Sequence, residues 1–196
     1  MAQPARTAAT MTVEEFLVHE FPDVQAELVR GEPRMTPLPG GAHGVVCANL
    51  LAVLMPHVSA HRLGRVFADG VGYELVKLPH TVRGPDVSFV RAERLPAAGV
   101  GPGLLKLAPD LVVEVLSPSE TATLLEEKLD DYLVAGTPLI WVVDPGRRTV
   151  MVMSDDAPVH WLRVGDVLDG GGTVPGFRCA VGELFHGLAD NHSISD

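Results

Sequence analysis

The chain reads as a single α/β domain built on a mixed β-sheet, with helices flanking the sheet and additional β-hairpins. Three observations carry that reading. Two near-continuous apolar runs, Leu111-Val112-Val113-Glu114-Val115-Leu116 and Leu139-Ile140-Trp141-Val142-Val143, have the composition of strands buried on both faces. Between them, residues 119–135 alternate charged and apolar positions at helical spacing and close on Gly136-Thr137-Pro138, a C-cap glycine followed by proline. Strand, helix and strand in that order form a βαβ crossover, which pairs the two strands in parallel. Short runs separated by turn residues lie on both sides of this unit, and their antiparallel hairpins make the sheet mixed.

Taken in order, residues 1–10 form a flexible N-terminal arm. Thr12-Val13-Glu14-Glu15 is a capping box that opens a short helix with Phe16 and Leu17 on its inner face. Residues 24–35 read as two short strands turning at Arg30-Gly31. Val46, Leu50, Val53, Leu54 and Val58 recur at helical spacing, which predicts a helix over residues 43–61. Residues 65–68, 71–77 and 86–91 are β-rich, and a Gly/Pro-rich loop over 96–109 leads to the first buried strand. After the second buried strand, which ends at Asp144-Pro145, residues 149–153 and 159–164 form a hairpin, and the rest is a Gly-rich tail. The expected domain spans residues 11–187, with a flexible C-terminal tail over 188–196. No internal repeat or long linker divides it.

Composition narrows the function classes. Apolar residues make up 46% of the 196, enough to build a core. Fifteen basic against 25 acidic side chains give a net charge of −10, which excludes a polycation that coats nucleic acid by neutralising phosphates. It leaves open an enzyme whose carboxylates hold a metal against a phosphate. Cys47 and Cys179 have no paired ligand spacing and read as small buried hydrophobes in a reducing compartment. The longest apolar stretch, residues 45–55, is broken by Asn49 and falls short of the roughly 20 residues of a membrane helix. No secretory signal opens the chain, so a cytoplasmic protein without membrane association is expected. Walker, G-x-G-x-x-G and G-x-S-x-G patterns are absent.

Five polar residues stand where the pattern calls for something else. Glu114 interrupts the buried strand on the face of Val112 and Leu116, and a carboxylate there must be paired, hydrogen-bonded or metal-bound. It reads either as a functional group or as a strand-end partner of an arginine. Lys128 falls within the apolar stripe of Leu124, Leu125 and Tyr132, at about 100° per residue, and so points towards the sheet. The alternative is a lysine snorkelling at the stripe's edge. Asp86 follows Pro85 at a strand start, where an aspartate often caps a turn. Glu27 interrupts the first hairpin on the face of Val29, and His43 follows Gly40-Gly41-Ala42 at a helix start, the ordinary place for a turn histidine. Asp110, after Pro109, reads as turn punctuation. His57 and His61, at the end of a helix, read as surface residues.

An aspartate at one strand, a glutamate in the next and a nearby lysine are the parts of a metal-assisted phosphoester hydrolase. Carboxylate oxygens suit Mg²⁺ and leave open positions for phosphate and water. As an ordered set, Ala26-Glu27-Leu28-Val29-Arg30-Gly31-Glu32, His43-Gly44, Arg83-Gly84-Pro85-Asp86-Val87-Ser88-Phe89-Val90, the run from Pro109 to Ser119, Glu127-Lys128-Leu129 with Tyr132, and Trp141-Val142-Val143-Asp144-Pro145 resemble the Uma2 family, once DUF820, of restriction-endonuclease-like proteins. The resemblance covers residues 12–185. It implies a restriction-endonuclease-like mixed sheet flanked by helices, of the PD-(D/E)XK nuclease superfamily, with Asp86 and Glu114 as ligands of Mg²⁺ or Mn²⁺. The superfamily lysine would stand two residues after the glutamate, where this chain has Leu116. The resemblance places it instead on the following helix, as Lys128, while Glu27 and His43 match family positions that line the same cleft.

The leading expectation is a Mg²⁺-dependent endonuclease that binds DNA weakly and forms a homo-oligomer, a dimer. A catalytically inactive nuclease fold acting as a binding or structural protein is the alternative, and a hydrolase of small phosphoesters is a third reading. Glu120, Glu126, Glu127, Asp130 and Asp131 are expected to lie outside the site.

Overall fold

The computed structural model describes residues 10–21, 25–118 and 120–189. A short helix α1 (Val13–Val18) is followed by the hairpin β1 (Gln25–Val29) and β2 (Glu32–Thr36). The turn at Arg30 and Gly31 has positive φ at both residues, 50° and 79°, as a two-residue hairpin with the native strand twist requires. Helix α2 (Gly41–Ala60) leads into β3 (Gly64–Ala68), β4 (Tyr73–Lys77), β5 (His80–Arg83) and β6 (Val87–Arg91). The crossover follows as β7 (Leu111–Val115), α3 (Ala122–Val134) and β8 (Leu139–Asp144). The hairpin β9 (Thr149–Ser154) and β10 (Ala157–Arg163) and the short strands β11 (Val167–Asp169) and β12 (Arg178–Ala180) complete it.

The main sheet is mixed, in the order β10-β9-β8-β7-β6-β3, with β7 and β8 parallel and its other pairs antiparallel. A second sheet, β2-β1-β5-β4, is antiparallel throughout. Strand parity sorts β7 cleanly. Leu111, Val113 and Val115 join the core built with Val46, Leu50, Leu54 and Val58 of α2, while Val112 packs with Leu129 and Tyr132 of α3. Both faces of β7 and β8 are therefore covered, which is why these strands are continuously apolar. The second sheet shares the α3 side. Leu75 of β4 packs both against the α3 cluster and against the cluster of Tyr73 and Val90, and the Tyr73 hydroxyl lies 2.7 Å from Ser88 Oγ. Glu114 thus faces a gap bounded by α3 on one side and by β1 and β5 on the other.

Several expectations are corrected. Leu17 is 56% exposed, and Val13 with Phe16 supplies the inner face of α1. The capping box at Thr12 and Glu15 is present. Strand β5 lies outside the expected β-rich runs, because His80-Thr81-Val82-Arg83 is short and mostly polar. Helix α3 starts at Ala122 rather than 119, since the Thr121 hydroxyl accepts the Leu124 N–H and caps it there. The apolar run 45–55 is part of a 20-residue helix, long and apolar enough by length and composition to cross a membrane, with Val46, Leu50, Leu54 and Val58 turned into the core. The Gly-rich tail is structural: Leu168, Val174, Phe177, Val181 and Leu184 are buried in the α2 core. Arg148 donates to the carbonyls of Leu188 and Ala189, so contacts continue into the first residues of the expected tail. Residue 24 and nearly all of the expected arm and tail lie outside the described residues.

Candidate active site

Glu114 stands on β7, and its two carboxylate oxygens are held separately. Oε2 accepts from Lys128 Nζ at 3.0 Å and Oε1 accepts from the Tyr132 hydroxyl at 2.9 Å. Lys128 and Tyr132 are one helical turn apart on α3, so the two donors lie on the same face and converge on one carboxylate. The glutamate side chain is 2% exposed.

Asp86 immediately precedes β6. The antiparallel register pairs Val87 with Val113, which brings Asp86 beside the Glu114 end of β7. Its Oδ2 accepts the Val115 N–H at 2.6 Å, so the backbone next to Glu114 fixes Asp86 directly. Its Oδ1 lies 3.1 Å from His43 Nε2, in the first turn of α2, and His43 Nδ1 lies 3.6 Å from Cys47 Sγ one turn on. Asp86 therefore ties α2, β6 and β7 together at one point.

Glu27 of β1 closes the other side. It accepts from the Arg83 guanidinium at 2.8 Å and from the Gly84 N–H at 2.9 Å, and it lies 4.0 Å from Lys128 Nζ. The same guanidinium donates to Asp131 of α3 at 2.9 and 2.6 Å. Arg30 of the hairpin turn reaches Glu127 at 2.6 Å. Arg83–Asp131, Arg30–Glu127 and, at 3.5 Å, Arg30–Asp131 thus clamp the second sheet onto α3 across the cleft. Glu120, just ahead of α3, brings a further carboxylate to 3.8 Å from Lys128.

The electrostatics follow from crowding carboxylates in a recessed place. Burial pushes the Glu114 carboxyl up to about 8, against the pull of Lys128, and Asp86 and Glu27 add to the rise. Glu120 is raised for the same first reason, burial, again opposed by Lys128. Burial alone would lower the Lys128 ammonium, but Glu114, Glu27 and Glu120 outweigh it and raise the group above its ordinary value. His43 is raised by its hydrogen bond to Asp86, against the effect of burial.

All five residues singled out in the sequence, Glu27, His43, Asp86, Glu114 and Lys128, line one cavity. Sequence reasoning missed Arg83, Asp131 and Tyr132 as parts of the site. The available signals were the position of Arg83 just before Gly84-Pro85-Asp86 and the i, i+4 spacing of Lys128 and Tyr132. The expectation that five acidic residues lie outside is corrected for two of them, Glu120 and Glu127, which line the cavity. Asp131 does not line it; 9% exposed, it holds Arg83 from behind. Asp110 is also more than turn punctuation. Buried to 3%, it pairs with Arg94 at 2.8 Å and accepts the Arg91 N–H. Among the described residues no group of three or more His, Cys, Asp or Glu side chains is gathered as a metal cage. The oxygens of Glu114 are taken up by Lys128 and Tyr132, and those of Asp86 by Val115 and His43.

A model of the Uma2 family, described as "Putative restriction endonuclease", matches residues 13–182. Among solved structures, the chain is similar to a protein described as a putative nuclease belonging to DUF820 from Anabaena variabilis. The TM-score is 0.78 and the identity 22%, over 89% of this chain and 97% of that one. At that identity the likeness shows the fold. A comparison with curated proteins gives no match.

Proposed function

The chain belongs to the Uma2 family, and from that premise we propose that it is a divalent-metal-dependent endonuclease that hydrolyses phosphodiester bonds of DNA. The observation that carries the proposal is the fixing of Asp86 and Glu114 side by side at adjoining strand ends, with the Lys128 ammonium 3.0 Å from Glu114. The donor set fits Mg²⁺ or Mn²⁺. It is made of carboxylate oxygens, the hard ligands these ions take. The cavity lining also carries more carboxylates (Glu27, Asp86, Glu114, Glu120, Glu127) than cations (Arg34, Arg83, Lys128). Asp86 and Glu114 would hold the ion, which supplies Lewis acidity towards the phosphate oxygens.

The chain's own groups divide the remaining work. Lys128, held protonated by three carboxylates, donates to a phosphate oxygen and offsets the charge that grows on it in the transition state. Glu120, whose carboxyl is raised by burial and lies 3.8 Å from Lys128, accepts a proton from the attacking water. His43 holds Asp86 in place, and Tyr132 orients Glu114.

One observation favours the second reading, a nuclease fold retained for binding alone. The Lys128 and Tyr132 contacts satisfy Glu114 by themselves, as a structural ion pair would. The deciding experiment is cleavage of labelled DNA with Mg²⁺ or Mn²⁺ by the wild type, Asp86→Asn, Glu114→Gln and Lys128→Met. The proposal expects metal-dependent cleavage, lost in the carboxylate variants and slowed by about 10²–10³-fold in Lys128→Met. Absence of cleavage with every DNA form, or activity that survives both carboxylate substitutions, would overturn it.

A further inference from the structure

Two cavities meet at the carboxylate cluster. Gln25, Glu27, Thr36, Asp86 and Lys128 line both, so the cluster is bordered by open space on two sides. Beside the cluster each cavity also has apolar side chains. Met35, Pro37 and Leu124 line one, and Phe16, Val71 and Leu104 line the other. Met35 and Leu124 are 62% and 39% exposed, an apolar rim beside a strongly acidic centre.

The reactive groups are recessed within this cleft. The side chains of Asp86, Glu114 and Lys128 are 12%, 2% and 15% exposed. An intact duplex is a stiff cylinder that brings its second strand and full width against the rim, whereas an unpaired strand can bend its backbone into a recess. Unpairing and unstacking a nucleotide cost a few kcal/mol, least where the strand is already single. Nor does the cleft offer what duplex binding needs. Its three cationic side chains already have carboxylate partners: Arg83 with Glu27 and Asp131, Lys128 with Glu114, and Arg34 with Glu32 at 3.3 Å. A duplex gains its affinity by having phosphates neutralised by lysines and arginines, and a single strand gains a large share from its exposed bases.

Resting on the nuclease reading, we propose that the site takes an unpaired, single-stranded segment of DNA in preference to an intact duplex. The strand lies along the cleft, with its backbone at the Asp86–Glu114–Lys128 cluster and its bases against the apolar walls on either side. The acidic centre suits a backbone only where a divalent cation stands between them, while the walls accept bases without reading their sequence.

The test separates binding from chemistry. A fluorescently labelled oligonucleotide, single-stranded or annealed to its complement, is titrated with the whole chain in Ca²⁺ and followed by anisotropy. The inference expects the single strand to bind more tightly by about tenfold or more, and Met35→Asp and Leu124→Asp to weaken that binding by about tenfold each. Both side chains face solvent, so these substitutions leave the core intact. Equal or tighter binding of the duplex, or single-strand affinity unchanged in both variants, would overturn the inference. Cleavage of the same two oligonucleotides in Mg²⁺ decides the reading beneath it. Cleavage with no preference for the single strand overturns the inference and leaves the nuclease standing. Single-strand binding without any cleavage overturns the nuclease and leaves the binding preference.

Discussion

Lys128 Nζ lies 3.0 Å from Glu114 Oε2, joining a helix and a strand fourteen residues apart in sequence. Each residue is the exception on its own surface, a cation in an apolar stripe and a carboxylate in an apolar strand. Burying either alone costs several kcal/mol, so each accounts for the presence of the other. Around them, Tyr132, Glu27 and Glu120 complete a shell that determines how firmly the pair is held.

Tyr132→Phe removes the hydroxyl that donates to Glu114 Oε1 and leaves the ring in the core. The expected loss is about 1–3 kcal/mol of stability, as for a hydrogen bond to a charged acceptor. Glu114 then loses one of its two fixed points, and affinity for Mn²⁺ is expected to fall by about tenfold. Chemical denaturation and isothermal titration with Mn²⁺ check the two effects separately. A stability loss with unchanged Mn²⁺ affinity would reduce Tyr132 to a packing residue.

The contacts that were legible in the sequence are the local ones. Glu114 was visible because strand parity needs only its immediate neighbours, and Lys128 because helical phase needs only one turn. Glu120 was not, since it precedes the Thr121 cap and helical phase does not apply to it. Arg83 meets Glu27 and Asp131 across 56 and 48 residues, and no local period marks such a partner. The C-terminal core segment was hidden for a different reason: β11 and β12 are three residues each, too short to show an alternation among glycines.

Arg83→Met keeps most of the apolar stem of the side chain and removes its charged head. Glu27 and Asp131 are left facing each other in a site where the guanidinium is 4% exposed. Breaking a buried ion pair on one side costs about 3–5 kcal/mol where the remaining charge has no partner, and the loss expected here is at the lower end, because Glu27 keeps the Gly84 N–H and Asp131 keeps Arg30 at 3.5 Å. The clamp between the second sheet and α3 is weakened at the same time, with only the Arg30 contacts left, so catalysis is expected to fall along with stability. Urea denaturation followed by circular dichroism measures the first, and cleavage at a temperature where the variant is folded measures the second.

Asp110→Ala offers a contrast. Asp110 precedes β7, accepts the Arg91 N–H and pairs with Arg94, at the end of the strand away from Glu114. Four residues of extended chain separate it from Glu114 by about 13 Å. The expected loss is about 1–3 kcal/mol of stability, with Asp110→Asn losing less because its amide oxygen still accepts the N–H. Cleavage rates of the folded variant are expected to stay at the wild-type level. A collapse in activity matching that of Asp86→Asn would show that the two ends of β7 are coupled.

The Glu114 carboxyl makes a prediction about pH with a definite sign. Its ordinary value of 4.5 describes the unfolded chain, and burial raises it to about 8 in the folded one. The folded state therefore binds this proton more tightly than the unfolded state. The stabilisation is fully present below about 4.5 and is lost as the pH rises through about 8. The difference between wild type and Glu114→Gln isolates it, since the amide does not titrate. In chelator, the stability of the wild type relative to Glu114→Gln is expected to decline steadily from pH 5 to pH 8, read from urea midpoints at each pH. A flat difference over that range would mean that Lys128 and Tyr132 keep the Glu114 carboxylate ionised throughout. Added Mn²⁺ is expected to reverse the decline at the alkaline end, where the carboxylate is free of its proton and available as a ligand.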